Sequence, residues 1–296
     1  MPDLEYEVKP VAELREVIEK TAATWPLAKG TTFESVTYDG VLCEWIDVPS
    51  GHGDVVYLHA HGGGYYRGSS RVDAAICSHL CEMAGVRCLS VNYRRPPDEG
   101  VFPAAVDDMY AVWCWLTRAG GGGVSPSKVI VGGTSAGGGL CLALLLRIRD
   151  EGGVLPAGAI AVSPWTDMTQ SGISFETNAQ YGPKKDYLSH WADVYLGGAD
   201  AKHPYASPLF GDLQGLPPLL IQAGGHETML DDASSFAASA ARAGCAVTLE
   251  VYPGQGHSFQ HKVGTDSVAR EAVIHMAQFV RRWGDQQSAV SDQQSA

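Results

Sequence analysis

The stretch VIVGGTSAGGG, residues 129–139, decides the fold of this sequence. Its first three residues are apolar and β-branched, as in a buried strand, and the segment 136–150 is predicted to be a helix. Ser135 lies between the two, in the pattern Gly-x-Ser-x-Gly formed with Gly133 and Gly137. Small residues two positions before and after the serine permit a sharp strand-to-helix turn, which exposes the hydroxyl above a sheet.

A second glycine-rich stretch, LHAHGGGYYRG at residues 58–68, follows another predicted strand. Three consecutive glycines cost backbone entropy, so a folded protein keeps them where the chain turns unusually or brings bare N–H groups close to a ligand. Ligands of open α/β sheets bind outside the carboxyl ends of the strands, where both stretches lie. A phosphate ligand is less favoured, because the Lys-Ser/Thr of a P-loop and the spacing of a dinucleotide fingerprint are missing.

Predicted strands and helices alternate along the chain. After an antiparallel pair around Asp39-Gly40, the predicted strands are 54–60, 86–92, 128–133, 158–164, 218–224 and 247–253. The predicted helices are 71–84, 103–117, 136–150, 231–243 and 267–283. This alternation indicates the α/β class, with a mostly parallel sheet that helices cover on both faces.

We expect one domain over residues 1–284. Residues from about 1–30 and 168–216 interrupt the alternation, and we expect them to fold over the end of the sheet as a helical cap. The tail 285–296 contains the repeat DQQSA twice and is too polar to bury anything, so we expect it to be disordered.

Composition excludes several classes of protein. The 296 residues carry a formal net charge of −12 without any cluster of Lys and Arg, which argues against a nucleic-acid partner. The sequence shows neither a signal peptide nor a long apolar run, so we expect a cytoplasmic protein without stable membrane association. Its seven scattered cysteines indicate a reduced interior, and a metal site at Cys77 and Cys81 lacks further ligands.

A nucleophilic serine needs a base and an orienting carboxylate. His257 follows the last predicted strand, where its side chain can return to the carboxyl edge of the sheet. The segment GGHETMLDD offers three acids between Ser135 and this histidine: Glu227, Asp231 and Asp232. His59 and His61 form an H-x-H pair, but no third metal ligand is evident, and we predict no metal.

These motifs, in this order, resemble those of the hormone-sensitive-lipase-like branch of the α/β-hydrolases, bacterial carboxylesterases in particular. The resemblance covers roughly residues 55–283. HGGGYYRG is similar to the oxyanion loop of that family, and GTSAGG to the nucleophile elbow of the subgroup with Thr before Ser. NYRRPPDEGVFPAAVDD, SPWTD, LPPLLIQAG and YPGQGHSF also occur in the order of the family. The resemblance implies an α/β-hydrolase fold, a mostly parallel central sheet flanked by helices, with a helical cap.

The resemblance also implies roles for individual residues. Ser135 takes the place of the nucleophile and His257 that of the base. The backbone N–H groups of Gly63, Gly64 and Ala136 take the place of the oxyanion hole, and side chains at the two glycines would keep a carbonyl oxygen from reaching the amides.

The acid departs from the family pattern. The family usually has Asp in D-P-x-x-D, whereas here Glu227 takes that place and Asp231 the second. Tyr65, which adjoins the oxyanion loop, and Trp191 are candidate substrate-binding residues. The loop Arg95-Pro96-Pro97-Asp98 also differs from the family.

We therefore expect a serine carboxylesterase that hydrolyses small or short-acyl esters, or lactones, through an acyl-enzyme, without a cofactor. An amidase or lyase at the same site and a non-catalytic small-molecule receptor are the alternatives. The partner is a small-molecule ester, and the sequence leaves a homodimer open.

Overall fold

A computed structural model of the chain describes residues 9–51 and 53–284. In these residues eight strands form one sheet in the order β1-β2-β4-β3-β5-β6-β7-β8. The strands are β1 Thr32–Tyr38, β2 Val41–Asp47, β3 Val56–Ala60, β4 Arg87–Val91, β5 Val129–Thr134, β6 Gly158–Val162, β7 Leu219–His226 and β8 Val247–Gly256. β2 pairs antiparallel with β1 and β4, while β4, β3, β5, β6, β7 and β8 run parallel to one another. The mostly parallel sheet expected from the sequence is thus confirmed.

The helices are α1 Val11–Ala22, α2 Ala74–Ala84, α3 Ala104–Thr117, α4 Ala136–Asp150, α5 Ser174–Thr177, α6 Lys185–Leu196, α7 Leu230–Arg242 and α8 Ser267–Gly284. Short 3₁₀ turns lie at Pro126–Lys128, Ala179–Tyr181, Pro208–Phe210 and Phe259–Lys262. The tail 285–296 and residues 1–8 of the expected cap lie outside the described residues.

Helices cover both faces of the sheet. On one face, Trp113 of α3, Leu144 of α4 and Phe236 of α7 belong to one large apolar cluster. On the other face, Leu80 of α2 and Met276 of α8 belong to a second cluster. Strands β3, β5 and β6 are buried along their whole length, which is why they form nearly continuous apolar runs in the sequence, whereas the edge strands β1 and β8 are partly exposed.

Two segments outside the regular alternation meet above the carboxyl end of β3. Leu14 of α1 and Trp191 of α6 pack with Tyr66, which lies in the loop after β3. The rings of Tyr66 and Trp191 stack with their centroids 3.4 Å apart, and Arg15 Nε donates to the Tyr66 carbonyl over 2.9 Å. These contacts place α1 and α6 over the edge of the sheet where the glycine-rich loops lie.

Within the ranges 9–51 and 53–284, none of the helices combines the length and the apolar character needed to cross a membrane.

Candidate active site

Ser135 occupies a strained turn between β5 and α4. Its backbone angles, φ +58° and ψ −120°, are rarely adopted by residues other than glycine. The turn is held from both sides, because Ser135 N donates to Val162 O of β6 over 2.8 Å and its carbonyl accepts from Gly139 N and Trp165 N. The hydroxyl therefore projects at the start of α4, where the helix dipole favours negative charge.

The glycines of the Gly-x-Ser-x-Gly pattern allow three backbone segments to meet beneath the serine. A Cβ atom on Gly133 would collide with the carbonyl of Gly137, and one on Gly137 would collide with the carbonyl of Ala60 at the end of β3. Glycine is required here by close backbone packing, since neither residue has a positive φ.

His257 lies between Ser135 and Glu227. Its Nε2 is 2.9 Å from Ser135 Oγ, and its Nδ1 is 2.8 Å from Glu227 Oε2. A carboxylate only accepts hydrogen bonds, so Nδ1 carries the proton and Nε2 is free to accept from the serine hydroxyl. The Glu227 side chain is fully buried, whereas that of His257 is 25% exposed, which leaves the imidazole open to a ligand.

The register of two strands brings the acid and the base together. β7 ends at His226 and β8 at Gly256, and these two residues are paired in the sheet. Glu227 and His257 follow them directly and therefore emerge side by side at the same edge.

The other acids of this segment have other partners. Asp231 Oδ2 accepts from Ser174 N over 2.9 Å, and Asp232 Oδ1 accepts from the amides of Thr166 and Asp167. Burial, together with the nearby carboxylates of Asp167 and Glu227, raises the pKa of Asp232 well above its ordinary value. Of the three acids, the structure brings Glu227 alone to the imidazole.

The loop after β3 turns through two glycines with positive φ, +125° at Gly63 and +65° at Gly64. A Cβ atom on Gly63 would collide with the carbonyl of Arg67, and one on Gly64 would lie 2.7 Å from the ring of Tyr66. The loop itself thus requires both glycines, a reason different from the access to a ligand that the sequence suggested. Both glycines line one cavity together with Ser135. Ala136, whose amide is the third one implied, is the first residue of α4.

Asp73 anchors this loop, a role that the sequence did not reveal. Its carboxylate accepts from Gly62 N over 3.0 Å and bonds His59 Nε2 over 2.8 Å and His261 Nε2 over 2.6 Å. Burial alone would raise the pKa of Asp73, but the hydrogen bonds from His261 and His59 hold it well below its ordinary value. The carboxylate is therefore charged and fixes the first residue of the glycine run.

The two histidines of the H-x-H pair point to different surroundings. While His59 bonds Asp73, His61 Nδ1 donates to Gly62 O over 2.8 Å and its ring stacks on Tyr93. Burial lowers the pKa of His61 to about 3, so the ring is neutral. The part of the chain that the structure describes contains no group of three His, Cys, Asp or Glu residues arranged to hold a metal ion.

Ser135 and His257 line a cavity of about 320 Å³. Its walls come from the glycine loop, from α1 and the residues after it, and from the start of α6: Gly62, Gly63, Gly64, Tyr66, Arg67, Ile18, Thr21, Trp25, Pro183, Tyr187 and Leu188 are among them. A larger hollow of about 520 Å³ lies near Pro218 and Ala246, at the amino ends of β7 and β8, away from the serine.

The two candidate substrate-binding residues, Tyr65 and Trp191, do not line this cavity but lie behind it. Tyr65 is fully buried and stacks on Tyr195 with ring centroids 3.8 Å apart, because its φ of +68° turns the side chain into the core. Trp191 is 4% exposed and lies behind Tyr66. The cavity is instead lined by the aromatic side chains of Trp25, Tyr66 and Tyr187.

Comparison with known proteins identifies the family. Residues 56–261 match the family model of the alpha/beta hydrolase fold. This chain belongs to that family. An acetyl-hydrolase from Streptomyces hygroscopicus is 41% identical to this hydrolase over 224 residues, which cover 75% of this chain and 73% of the relative.

Solved structures place the hydrolase in the bacterial hormone-sensitive-lipase branch. The crystal structure of an esterase of that family superposes with a TM-score of 0.89 at 40% identity, covering 93% of this chain and 92% of that one. A structure of EstE5 soaked with p-nitrophenyl butyrate has a TM-score of 0.89 at 37% identity, with 96% and 94% coverage. The resemblance to this branch is confirmed, and the hydrolase is a carboxylic ester hydrolase. Its place in the subgroup with Thr before Ser stays a prediction.

Replacing Gly63 with Ala is expected to lower kcat for ester hydrolysis by about a hundredfold or more, comparable to the loss of one oxyanion donor. The new methyl group collides with the Arg67 carbonyl and displaces the loop beside Ser135. Gly40→Ala is the matched control, because Gly40 also has a positive φ, +85°, but has open space around its Cβ position. Steady-state kinetics of both variants should show the loss for Gly63→Ala alone. Equal kcat values would contradict this account of the loop.

Proposed function

We propose that this hydrolase cleaves small, short-acyl esters by two-step acyl transfer, with Ser135 as the nucleophile. The observation that supports this most directly is the continuous chain of hydrogen bonds from Ser135 Oγ through His257 to Glu227, with distances of 2.9 and 2.8 Å. A serine hydroxyl is a weak nucleophile unless a positioned base takes its proton.

In the first step, Ser135 Oγ attacks the ester carbonyl while His257 Nε2 takes the hydroxyl proton. The imidazole becomes positively charged, and the buried carboxylate of Glu227 stabilises it. The protonated imidazole then gives its proton to the leaving alcohol as the bond between the acyl carbon and the alcohol oxygen breaks.

The negative charge on the carbonyl oxygen needs hydrogen-bond donors during this step. We assign this task to the N–H groups of Gly63, Gly64 and Ala136. The first two belong to the loop that Asp73 anchors, and the third lies at the positive end of α4.

In the second step, water attacks the acyl group on Ser135 while His257 Nε2 takes a proton from the water. The imidazole then returns this proton to Ser135 Oγ as the bond between the acyl carbon and Oγ breaks. The products are a carboxylic acid and an alcohol, and the chain's own residues supply every proton transfer. The 25% exposure of the His257 side chain is consistent with access for this water.

The size of the cavity favours small substrates. The cavity of about 320 Å³, which Ser135, α1 and α6 line, suits a short acyl group and a small alcohol. The acetyl-hydrolase relative and the EstE5 structure soaked with a butyrate ester point to short acyl groups as well. Small lactones fall within the same proposal.

An amidase would use the same three residues, so matched ester and amide substrates are needed to separate the two activities. A receptor needs neither nucleophile nor base, and the complete hydrogen-bonded chain therefore argues against pure binding. A cytoplasmic location, a cap made of residues 1–30 and 168–216, and the homodimer left open by the sequence stay predictions.

Ser135→Ala is expected to lower kcat for p-nitrophenyl butyrate by roughly a million-fold, because the nucleophile is lost. A fluorophosphonate probe should label the starting enzyme at Ser135, as mapped by peptide mass spectrometry, and should not label the variant. Circular dichroism serves as the folding control. A residual rate within tenfold of the starting enzyme would disprove the assignment of the nucleophile.

Glu227→Gln is expected to lower kcat by about 10³ to 10⁴, because the amide keeps the shape but loses the charge that stabilises the imidazolium. Asp231→Asn is the matched control, since Asp231 lies four residues further along the chain, in the first turn of α7, and its carboxylate accepts from the amide of Ser174. We expect at most a moderate loss there, measured by the same assay. A larger loss of kcat for Asp231→Asn than for Glu227→Gln would show that Asp231, and not Glu227, is the acid.

A series of p-nitrophenyl esters should show the highest kcat/KM for acyl chains of about two to six carbons, because longer chains exceed the cavity. The profile is measured below the solubility limit of each ester. A kcat/KM that rises continuously beyond ten carbons would rule out the short-acyl proposal.

A further inference from the structure

Arg67 lies in the wall of the catalytic cavity, and the proposed mechanism does not use it. It follows the glycine run, and its amide donates to the Gly63 carbonyl over 3.1 Å. Its side chain lines both the cavity that holds Ser135 and an adjoining hollow of about 460 Å³, formed with Gln180, Tyr181, Gly182, Pro183 and Tyr187. Arg67 thus lies in the wall that the catalytic cavity shares with the adjoining hollow.

In the described ranges, the Arg67 side chain forms no ion pair and donates no hydrogen bond, and its buried Nε has no acceptor. Its guanidinium carbon lies 5.3 Å from the centroid of the Tyr66 ring, which is a weak contact for a charged group. The arginines nearby differ, since Arg15 pairs with Asp98, and Arg95 pairs with Glu99 and donates to the Gly68 carbonyl. Asp98 and Glu99 therefore neutralise those two cations and leave Arg67 unpaired.

The acidic groups around the cavity are already engaged. Asp73 bonds two histidines and the Gly62 amide, and Glu227 is buried behind His257. At the other wall, Pro183 is followed by the exposed Lys184 and Lys185 and then by Asp186. The cavity therefore presents an unpaired cation, although the whole chain carries a formal charge of −12.

A partly buried donor without an acceptor destabilises a fold unless water or a ligand satisfies it. The planar guanidinium offers parallel N–H groups that match the two oxygens of a carboxylate, and such charge-assisted bonds are strong in a partly dry site.

We propose that Arg67 binds a carboxylate carried by the substrate, so that the preferred substrates are small esters with a negative charge a few bonds from the scissile carbonyl. This inference rests on the proposed ester hydrolysis. Water cleaves the acyl–oxygen bond as before, one alcohol and one acid are formed, and Arg67 stays protonated throughout. Monoesters of short dicarboxylic acids and acyl esters of short hydroxy acids are the substrate class.

The test compares each anionic ester with a neutral ester of the same shape. Monoethyl succinate, which carries its carboxylate on the acyl side of the ester, is paired with the neutral ethyl 4-methylpentanoate. 3-Acetoxypropanoate, which carries its carboxylate on the alcohol side, is paired with the neutral 3-methylbutyl acetate. The measured quantity is the ratio of kcat/KM for the anionic ester to that for its neutral partner, with product acid titrated in a pH-stat.

Arg67→Met is expected to lower this ratio by about tenfold to a hundredfold in at least one pair, because an uncharged side chain of similar length replaces the guanidinium. Arg67→Lys should restore part of the ratio. Arg242→Met is the matched control, since it removes one exposed arginine from α7 and should leave the ratio unchanged. A third anionic ester, 2-acetoxyethyl phosphate, shows whether a phosphate replaces the carboxylate. A change below threefold in both carboxylate pairs would overturn the inference.

A binding measurement separates this inference from the proposed function. In the Ser135→Ala variant, calorimetry should measure a higher affinity for monoethyl succinate than for ethyl 4-methylpentanoate. Adding Arg67→Met should remove this difference in affinity. If the starting enzyme cleaves both esters with a ratio that does not depend on Arg67, the mechanism stands and the inference is wrong. If neither ester is cleaved but binding depends on Arg67, the inference stands and the mechanism is wrong. Binding without an effect of Arg67 overturns the inference in either case.

Discussion

The positive φ of Ser135 is the constraint on which the site depends. A φ of +58° costs roughly 1–3 kcal/mol and persists only where the surrounding structure determines it. Here the amide of Ser135 is tied to β6, and its carbonyl accepts from Gly139 in α4 and from Trp165 after β6. Gly133 and Gly137 let β3, β5 and α4 approach closely enough for these bonds to form. The strain at Ser135 is thus offset by contacts that form only when β3, β5, β6 and α4 are packed together.

The same sheet positions the other two members of the hydrogen-bonded chain. β7 and β8 run parallel as neighbours, and the pairing of His226 with Gly256 brings their ends level. Since Glu227 and His257 each follow by one residue, no long loop has to be ordered to bring them together. Glu227, which stands where the family usually has aspartate, makes its 2.8 Å bond to Nδ1 from the position directly after the strand.

Much of this could be predicted from the sequence, because buried parallel strands and amphipathic helices leave strong local patterns. The predicted ends of β3, β4, β5, β6 and β7 lie within two residues of those in the structure, whereas β8 extends to Gly256, three residues beyond the prediction. Asp73 could not be predicted, since its partners His59 and His261 are 14 and 188 residues away along the chain. Tyr65 was expected near the substrate, but its left-handed backbone conformation turns the side chain inward, and the sequence carries no signal for this.

The loop after β3 connects the sheet to the segments above it. Asp73 holds its start through the Gly62 amide, while Tyr66 near its middle stacks on Trp191 of α6 and accepts from Arg15 of α1. The loop that carries the assigned oxyanion donors is therefore also the surface on which α1 and α6 rest. Because α1 itself lines the cavity, any change that loosens its contact with Tyr66 alters the substrate wall and the oxyanion loop together. Substrate selection and transition-state stabilisation are thus coupled through one short loop.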